Sequence, residues 1–369
     1  MAIMFQYLIT VQSLGLMYGS AGAFLSPENL VGRSGTKFPP DAATLSGLLF
    51  SANKEQKFAS HAELTEKLRV AGPFWSFVGA EDDFYVPLPR HKVIGKDDYD
   101  EWTIKNHKWY LKSESDGSGQ EDTKKKEESE YRWLRIDYWD TSVDAIYSDR
   151  NRDHPSVAEN CWKHVQILHP QMKRDERHVL PEDGLFLENA VQMKEDTCLV
   201  YLSNYPLASG WYQFGGEGHM VEVKSIPLGN HILERLQTNI QKSFALITPG
   251  VWGSNQLSTR YPKQSGFAED NNKIMMLTDK AVPYRYRIGY GDKKKETFRD
   301  RDPGRLSRGR YAVPAGSVYV LRQPLNKSWW NFPPDWFPEK GLLQKFGCGL
   351  CLPIPELSNQ VEGDVNENR

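Results

Sequence analysis

Residues 211–223 read Trp-Tyr-Gln-Phe-Gly-Gly-Glu-Gly-His-Met-Val-Glu-Val. An aromatic run stops at three glycines in four positions, and an alternating strand pattern begins immediately after them. This commits the chain to neighbouring strands joined by a tight connection. A plain hairpin turn needs only one or two such residues. The surplus glycine serves either the turn itself or a close approach of backbone to a neighbouring strand or a phosphate.

The rest of the chain supplies more strands than helices. Phe5 to Val11 is rich in β formers and reads as a first strand, followed by a Gly/Ser loop from Gly15 to Thr36. In "FPPDAATLSGLLFSAN", Pro39 and Pro40 end an extended segment and Asp41 is an N-cap. A helix over 42–52 then turns Leu45, Leu48 and Leu49 inward. Its first N–H groups offer an anion a place. A short second helix is expected over 61–70, a strand over 198–202 and a helix over 231–242. Further strands are expected over 244–248, 273–277, 317–321 and 350–354. This order predicts an α+β protein with two small helix-on-antiparallel-sheet units. No repeat of 20–50 residues is visible.

Residues 113–130 contain no apolar side chain and read as a solvated loop. They separate "WTIKNHKWYLK" from "YRWLRIDYW", which are either two arms of a hairpin or parts of an extended insertion.

Charge is uneven along the chain. The 369 residues carry a net charge of −2, so a nucleic-acid role has to come from local patches. Residues 284–310 hold ten Lys/Arg and four Asp/Glu, a local balance of 10 − 4 = +6. Arg285, Arg287, Arg308 and Arg310 interleave with tyrosines there, a pattern that suits phosphate contacts with base stacking, and equally a solvated loop. A second basic cluster, Lys173, Arg174, Arg177 and His178, lies between two structured stretches.

Gly347 and Gly349 in "KFGCGLCLPIP" either let backbone N–H groups approach a phosphate or turn the chain into a buried strand. Cys348 and Cys351 make a C-x-x-C without a second pair at zinc spacing, so buried thiols compete with a metal. No P-loop, H-E-x-x-H or G-x-S-x-G occurs. Glu217 has no partner acid and reads as a turn anchor. No cofactor and no metal are expected. The N-terminus lacks the basic n-region of a signal peptide, and no apolar run is long enough to span a bilayer. A cytoplasmic chain, not membrane-bound, is the expectation.

Taken in order, "YLITVQSLGL", "FPPDAATLSGLLFSAN", "HVQILHP", "HVLPEDGLFLENAV", "FGGEGHMVEV" and "FGCGLCLPIP" resemble the RAMP superfamily of CRISPR proteins. Within it, the likeness is to third subunits of type III-B Cmr effector complexes, over about residues 5–355. The resemblance implies two ferredoxin-like (RRM-like) β-α-β-β-α-β units with glycine-rich loops and a protruding hairpin, or thumb. It implies an N-terminal unit over 1–200, with a charged insertion at about 91–135 and the thumb at about 165–190. A C-terminal unit over 201–358 and a tail over 359–369 complete the division. By position, Lys173, Arg174, Arg177 and His178 become the thumb, and Gly215, Gly216, Gly218, Gly347 and Gly349 the glycine loops. The implied partners are the 5′ handle of the crRNA, the large polymerase-like subunit and the adjacent backbone subunit. Several relatives carry a basic residue after "GGEG". Here it is His219, which can donate a hydrogen bond but supplies less charge.

The expected role is a non-catalytic RNA-binding scaffold in antiviral defence. The alternative is an endoribonuclease of the same superfamily that processes repeat RNA through His154, His164, His169 or His178.

Overall fold

A computed structural model describes residues 4–17, 38–106, 108–115, 128–170, 178–179, 185–216, 218–262, 274–288, 305–355 and 357. β1 (Tyr7–Ser13) leads to α1 (Ala42–Gln56), α2 (His61–Lys67), β2 (Val70–Phe77) and β3 (Tyr85–Pro87). β4 (Lys92–Ile94), β5 (Tyr99–Lys105) and β6 (Lys108–Leu111) make a small sheet, followed by α3 (Lys112–Ser115). Next come β7 (Trp133–Arg135), α4 (Val143–Ser148) and β8 (Val157–Ala158). β9 (Trp162–Pro170) and β10 (Leu185–Met193) pair as a two-stranded hairpin. β11 (Thr197–Ser203), β12 (Gly210–Phe214) and β13 (His219–Pro227) complete an eight-stranded antiparallel sheet ordered β12-β13-β1-β11-β2-β3-β7-β8.

The second half opens with α5 (Asn230–Gln237), β14 (Ser243–Leu246) and the hairpin β15 (Trp252–Gly253) and β16 (Ser258–Thr259). β17 (Met275–Leu277), β18 (Val282–Tyr284), β19 (Arg287–Ile288), β20 (Arg305–Leu306), β21 (Arg310–Ala312) and β22 (Val318–Val320) follow. α6 (Leu342–Lys345) and β23 (Cys351–Pro353) close the fold. Four of these strands form an antiparallel sheet ordered β17-β22-β14-β23.

The two faces of the large sheet follow from the two-residue period of a strand. Ile9, Val11, Leu199, Tyr201 and Val223 share one buried cluster with Leu45, Leu48 and Leu49 of α1. Those three leucines recur at helical spacing, so one stripe of α1 covers the sheet. The Tyr201 hydroxyl donates to the Pro40 carbonyl (2.7 Å) and ties down the start of α1. Asp41 is the N-cap as its position predicts, but its side chain makes no capping bond. Leu8, Phe74, Val200 and Leu202 belong to the other face and cluster with Phe244, Tyr319 and Leu352 of the second sheet and with Leu350 just before β23. Each such buried large apolar side chain contributes about 1.5–3 kcal/mol. Across the join, Trp139 Nε1 donates to the Pro353 carbonyl (2.8 Å).

Two boundaries differ from the sequence reading, and one of its two alternatives for the aromatic-basic stretches is excluded. β12 and β13 belong to the first sheet, so that sheet runs to Pro227 rather than ending near residue 200. The helix expected over 231–242 is α5, ending at Gln237, because Ile240 leaves the helix to bridge Lys327. The two aromatic-basic stretches are not arms of one hairpin. The first folds on itself as β5 and β6, and the second supplies β7, which pairs with β3 and β8 in the main sheet.

Candidate nucleic-acid interface

The glycine run forms the turn between β12 and β13, where Phe214 pairs with His219. Gly218 donates its N–H to the Gly215 carbonyl (3.3 Å). Gly215 and Gly218 have φ of +79° and +68°, left-handed values that favour glycine. The hairpin is fixed to α1 through Tyr212, whose hydroxyl accepts from Gln56 Nε2 and donates to the Ala208 carbonyl (both 2.7 Å). A Cβ on Gly215 would lie 3.9 Å from Thr44 Cγ2 in α1. One on Gly216 would lie 4.0 Å from Arg287 Nε. The turn therefore meets the start of α1 on one side and an arginine from the second half of the chain on the other. Glu217 lies outside the described residues.

Arg287 belongs to a ribbon built by strict alternation. Tyr284 and Tyr286 are buried, while Pro283 and Arg287 are exposed and Arg285 is half-buried. β18 pairs with β21, placing Pro283 opposite Tyr311 and Tyr284 opposite Arg310. β19 pairs with β20. Between these pairs Tyr286 and Ser307 bond reciprocally. The Tyr286 N–H donates to Ser307 Oγ (3.0 Å), and the Ser307 N–H donates to the Tyr286 carbonyl (2.8 Å). Arg285 lies over Gly309, where a Cβ would meet its Nε at 3.5 Å, and its Nε donates to the Ser307 carbonyl (3.2 Å). Arg308 is exposed.

Arg310 stands apart from this group. It falls on the inner face opposite Tyr284, and only 4% of its side chain is exposed. Its guanidinium pairs with the Glu339 carboxylate and donates to Asn255 Oδ1 (3.2 Å). Glu339 also accepts from the Tyr286 hydroxyl. Burial, with that hydrogen bond, holds the Tyr286 phenol well above its ordinary range. Arg310 is thus a buried ion-pair residue, not a phosphate contact on the surface.

Gly347 and Gly349 are corrected in the same way. Both have left-handed φ, +69° and +68°. A Cβ on Gly347 would lie 2.3 Å from Ala71 Cβ, and one on Gly349 would lie 2.3 Å from Trp252 Cη2. Their N–H groups already donate to Gln344 and Pro249 carbonyls (each 2.9 Å). The close approach expected of them is made to protein, and their N–H groups are engaged there rather than held ready for phosphate. Cys348 and Cys351 beside them are buried thiols, and Cys348 Sγ donates to the Tyr284 hydroxyl (3.2 Å). Burial holds the Cys351 thiol well above its ordinary value. Among the described residues, no group of three or more metal-ligating side chains occurs.

The thumb region corresponds to the β9–β10 hairpin. It is anchored where Met17 and Val191 exchange both backbone bonds (2.9 and 2.6 Å) and where Trp162 packs edge-on against Phe38 and Trp133. His178 is exposed, and Lys173, Arg174 and Arg177 lie outside the described residues. Of the histidines named for the nuclease alternative, His164 and His169 sit on β9, while His154 packs edge-on against Phe77 at 4.8 Å.

Two exposed aromatics escaped the sequence reading. Trp211 on β12 is 71% exposed and Tyr311 on β21 is 63% exposed. Alternation was the available signal, since each lies between inward-facing neighbours or next to one.

Paired antiparallel sheets, a separate two-stranded hairpin and a basic ribbon beside a glycine turn define an α+β protein built to present strand and turn surfaces. The family is set by sequence: the description CRISPR-associated protein (Cas_Cmr3) matches residues 16–355, and the chain belongs to that family. It is accordingly a component of a type III CRISPR effector complex.

Among solved structures, it is similar to a chain of the type III-B Cmr-beta complex bound to cognate target RNA. Identity there is 10%, with coverage of 85% of this chain and 86% of that chain and a TM-score of 0.45. A chain of a Csm1–Csm4 cassette in complex with pppApA matches at 10% identity, 85% and 86% coverage and a TM-score of 0.36. One from a Csm3–Csm4 subcomplex of a type III-A interference complex matches at 11% identity, 85% and 92% coverage and a TM-score of 0.35. No curated protein gives a significant match. Among the described residues, no helix is long and apolar enough to cross a membrane.

Proposed function

We propose that this chain is the non-catalytic, cytoplasmic subunit that holds the 5′ handle of the crRNA and docks the large polymerase-like subunit and the adjacent backbone subunit. The observation that carries the reading is the meeting of Arg287 with the Gly215–Gly218 turn, 4.0 Å from a Cβ position on Gly216. It brings a cation from the second half of the chain against a backbone turn of the first, on an exposed ribbon. Phosphates held by guanidinium groups, with bases splayed onto aromatic rings, are how single-stranded RNA is bound.

The strand orders support the fold that goes with this role. β13-β1-β11-β2 and β23-β14-β22-β17 both have the order expected of a ferredoxin-like unit. The first carries its helix, α1, after its first strand, and the second carries a short helix, α6, before its last. We read them as two ferredoxin-like units, the first with α1 and α2 between its first two strands and the second with the short α6 between its last two.

A protein-facing surface is available on the outer end of the large sheet. Trp211 stands there in register with Glu222, beside the pair Gln213 and Met220. Leu14, exposed, donates its N–H to the Met220 carbonyl (3.2 Å). Lys224 on this strand is paired with Glu222 at 3.7 Å, so the exposed Trp211 and Met220 stand on a face without net positive charge, which suits a neighbouring subunit better than a phosphate chain.

The test is binding of the purified protein to labelled crRNA with and without its 5′ handle, while the RNA is followed for cuts. Tighter binding to handle-bearing RNA, with the RNA intact, is expected. Equal binding to both RNAs would remove the handle assignment. Cutting at a fixed position would replace the scaffold reading with a nuclease acting through its histidines.

A further inference from the structure

β12 ends the large sheet, and its register shows which backbone groups face outward. The Leu14 N–H donates to the Met220 carbonyl, so Met220 on β13 turns its backbone groups toward β1. Successive strand residues turn theirs to opposite sides, so His219, Val221 and Val223 bond to β12 through Phe214, Tyr212 and Gly210. Trp211 and Gln213 therefore point their N–H and C=O groups away from β13, and among the described residues nothing pairs with them. Both side chains are exposed. The other ends of the two main sheets are shorter. β8 has two residues, and β17 and β23 have three each. β23 also carries Pro353, whose carbonyl accepts from Trp139. β12 has five residues and holds no Lys, Arg, Asp, Glu or Pro, the residues that blunt an edge.

We infer that β12 takes an extended segment of a neighbouring subunit as an added strand of the large sheet. This rests on the reading that the outer end of that sheet docks a subunit, and it adds the means of attachment. A row of alternating donors and acceptors at strand spacing is complementary to another extended backbone. Phosphate oxygens offer acceptors alone, so a nucleic-acid backbone does not match it. Side chains then select the segment. Trp211 lies on the same sheet face as Met220 and Leu14, all three exposed. An added strand with an apolar residue at every second position would set those residues against the Trp211 ring. The opposite face is already fixed, because the Tyr212 hydroxyl accepts from Gln56 of α1.

The experiment reads amide hydrogen exchange on the full chain, alone and assembled with the separately expressed large and adjacent backbone subunits. The Trp211 and Gln213 amides are expected to exchange fast in the chain alone and about 10-fold more slowly in the assembly, as one hydrogen bond each provides. Gln213→Pro removes an outward N–H without touching the ladder to β13, so it should melt like wild type. It is expected to bind the docked subunit about 10-fold more weakly, while Gln213→Ala, which keeps the N–H, binds like wild type. Assembly with both amides still exchanging fast would overturn strand addition and leave the docking reading standing. Failure to assemble with either subunit would remove both. Protection that arises with crRNA alone, or in a homodimer of this chain, would give the edge to another occupant and overturn the inference. Should Gln213→Pro fail to fold, exchange in the wild-type assembly decides the question by itself.

Discussion

Gly347 of the second half of the chain sits directly against Ala71 of β2 in the first. A Cβ at Gly347 would stand 2.3 Å from the Cβ of Ala71, 2.6 Å from its Cα and 2.8 Å from the Val70 carbonyl oxygen. Backbone atoms cannot swing aside as a flexible side chain can, so the two halves are pressed together at a point that only glycine fits. The φ of +69° adds a conformational reason of its own. Gly347→Ala is expected to lower stability by about 2–4 kcal/mol, from overpacking plus the left-handed backbone. Urea denaturation measures this, and a loss below about 0.5 kcal/mol would show that the join relaxes easily.

Arg310 and Arg308 should behave as opposites although they stand two positions apart. Arg310 is buried with Glu339, and truncating one member of such a pair strands the other charge. Arg310→Ala is expected to cost about 3–5 kcal/mol of stability. Arg308→Ala should leave stability within about 0.5 kcal/mol of wild type and act on RNA affinity instead. A double set of melting curves and RNA titrations checks both. A stable Arg310→Ala protein with weakened RNA binding would return Arg310 to the RNA-contact group.

That contrast shows what the sequence could and could not reveal. The alternation of Tyr284, Arg285, Tyr286 and Arg287 is legible directly, because strand parity fixes which side each faces. Arg310 in "RGRYAV" carries the same local charge as Arg308, and its burial depends on Glu339, 29 residues later. Nothing local encodes that partner. Reading the parity of Arg310 and Tyr311 together would have reversed the roles assigned there, arginine in and tyrosine out. Gly347 and Gly349 were legible as places of close approach, but a glycine does not say what approaches it. The sheet order needed tertiary information too, since β13 pairs with β1, more than 200 residues earlier.

His91 predicts a pH dependence. It is fully buried, and among the described residues neither ring nitrogen has a hydrogen-bond partner. Burial, with a smaller contribution from the charge of Lys92, holds its pKa well below the usual 6.5. The folded state therefore resists a proton that the unfolded state accepts. Stability from this group is fully present above about pH 6.5 and is lost as pH falls toward the folded value, by about 1.4 kcal/mol per pH unit. Stability of wild type and His91→Leu should diverge between pH 7.5 and 5.5, with wild type losing more. Parallel losses would assign the acid sensitivity to other groups. Comparing the two proteins cancels contributions they share, such as the raised pKa of Asp83.

Trp211 separates assembly from RNA binding. Its exposed side chain packs into no core cluster, so Trp211→Ser should not lower the melting temperature. If the outer end of the large sheet docks a neighbouring subunit, a buried aromatic anchor there is worth about 2 kcal/mol or more. The variant is then expected to lose about 30-fold in affinity for that subunit, while its affinity for handle-bearing RNA is unchanged. Co-purification with separately expressed neighbouring subunits, alongside RNA titration, reads both. Loss of RNA affinity with normal assembly would transfer this face to the RNA side.

The basic cluster at 173–178 calls for a salt experiment rather than a single affinity. Each phosphate contact to single-stranded RNA contributes about 0.7 to the slope of log affinity against log salt. Lys173, Arg174 and Arg177 follow β9 in sequence, and the β9–β10 pair is tied by Val191 to Met17, which follows β1. If all three meet phosphates, replacing them together with Ala should flatten the slope by about 2. Affinity for handle-bearing RNA should fall most at low salt and converge with wild type at high salt, because the lost term is counterion release. An unchanged slope with unchanged affinity would leave the Gly215–Gly218 turn with Arg287 as the principal RNA surface. A uniform drop at all salt concentrations would instead mean that the substitutions perturb the hairpin, because a lost phosphate contact cannot act independently of salt.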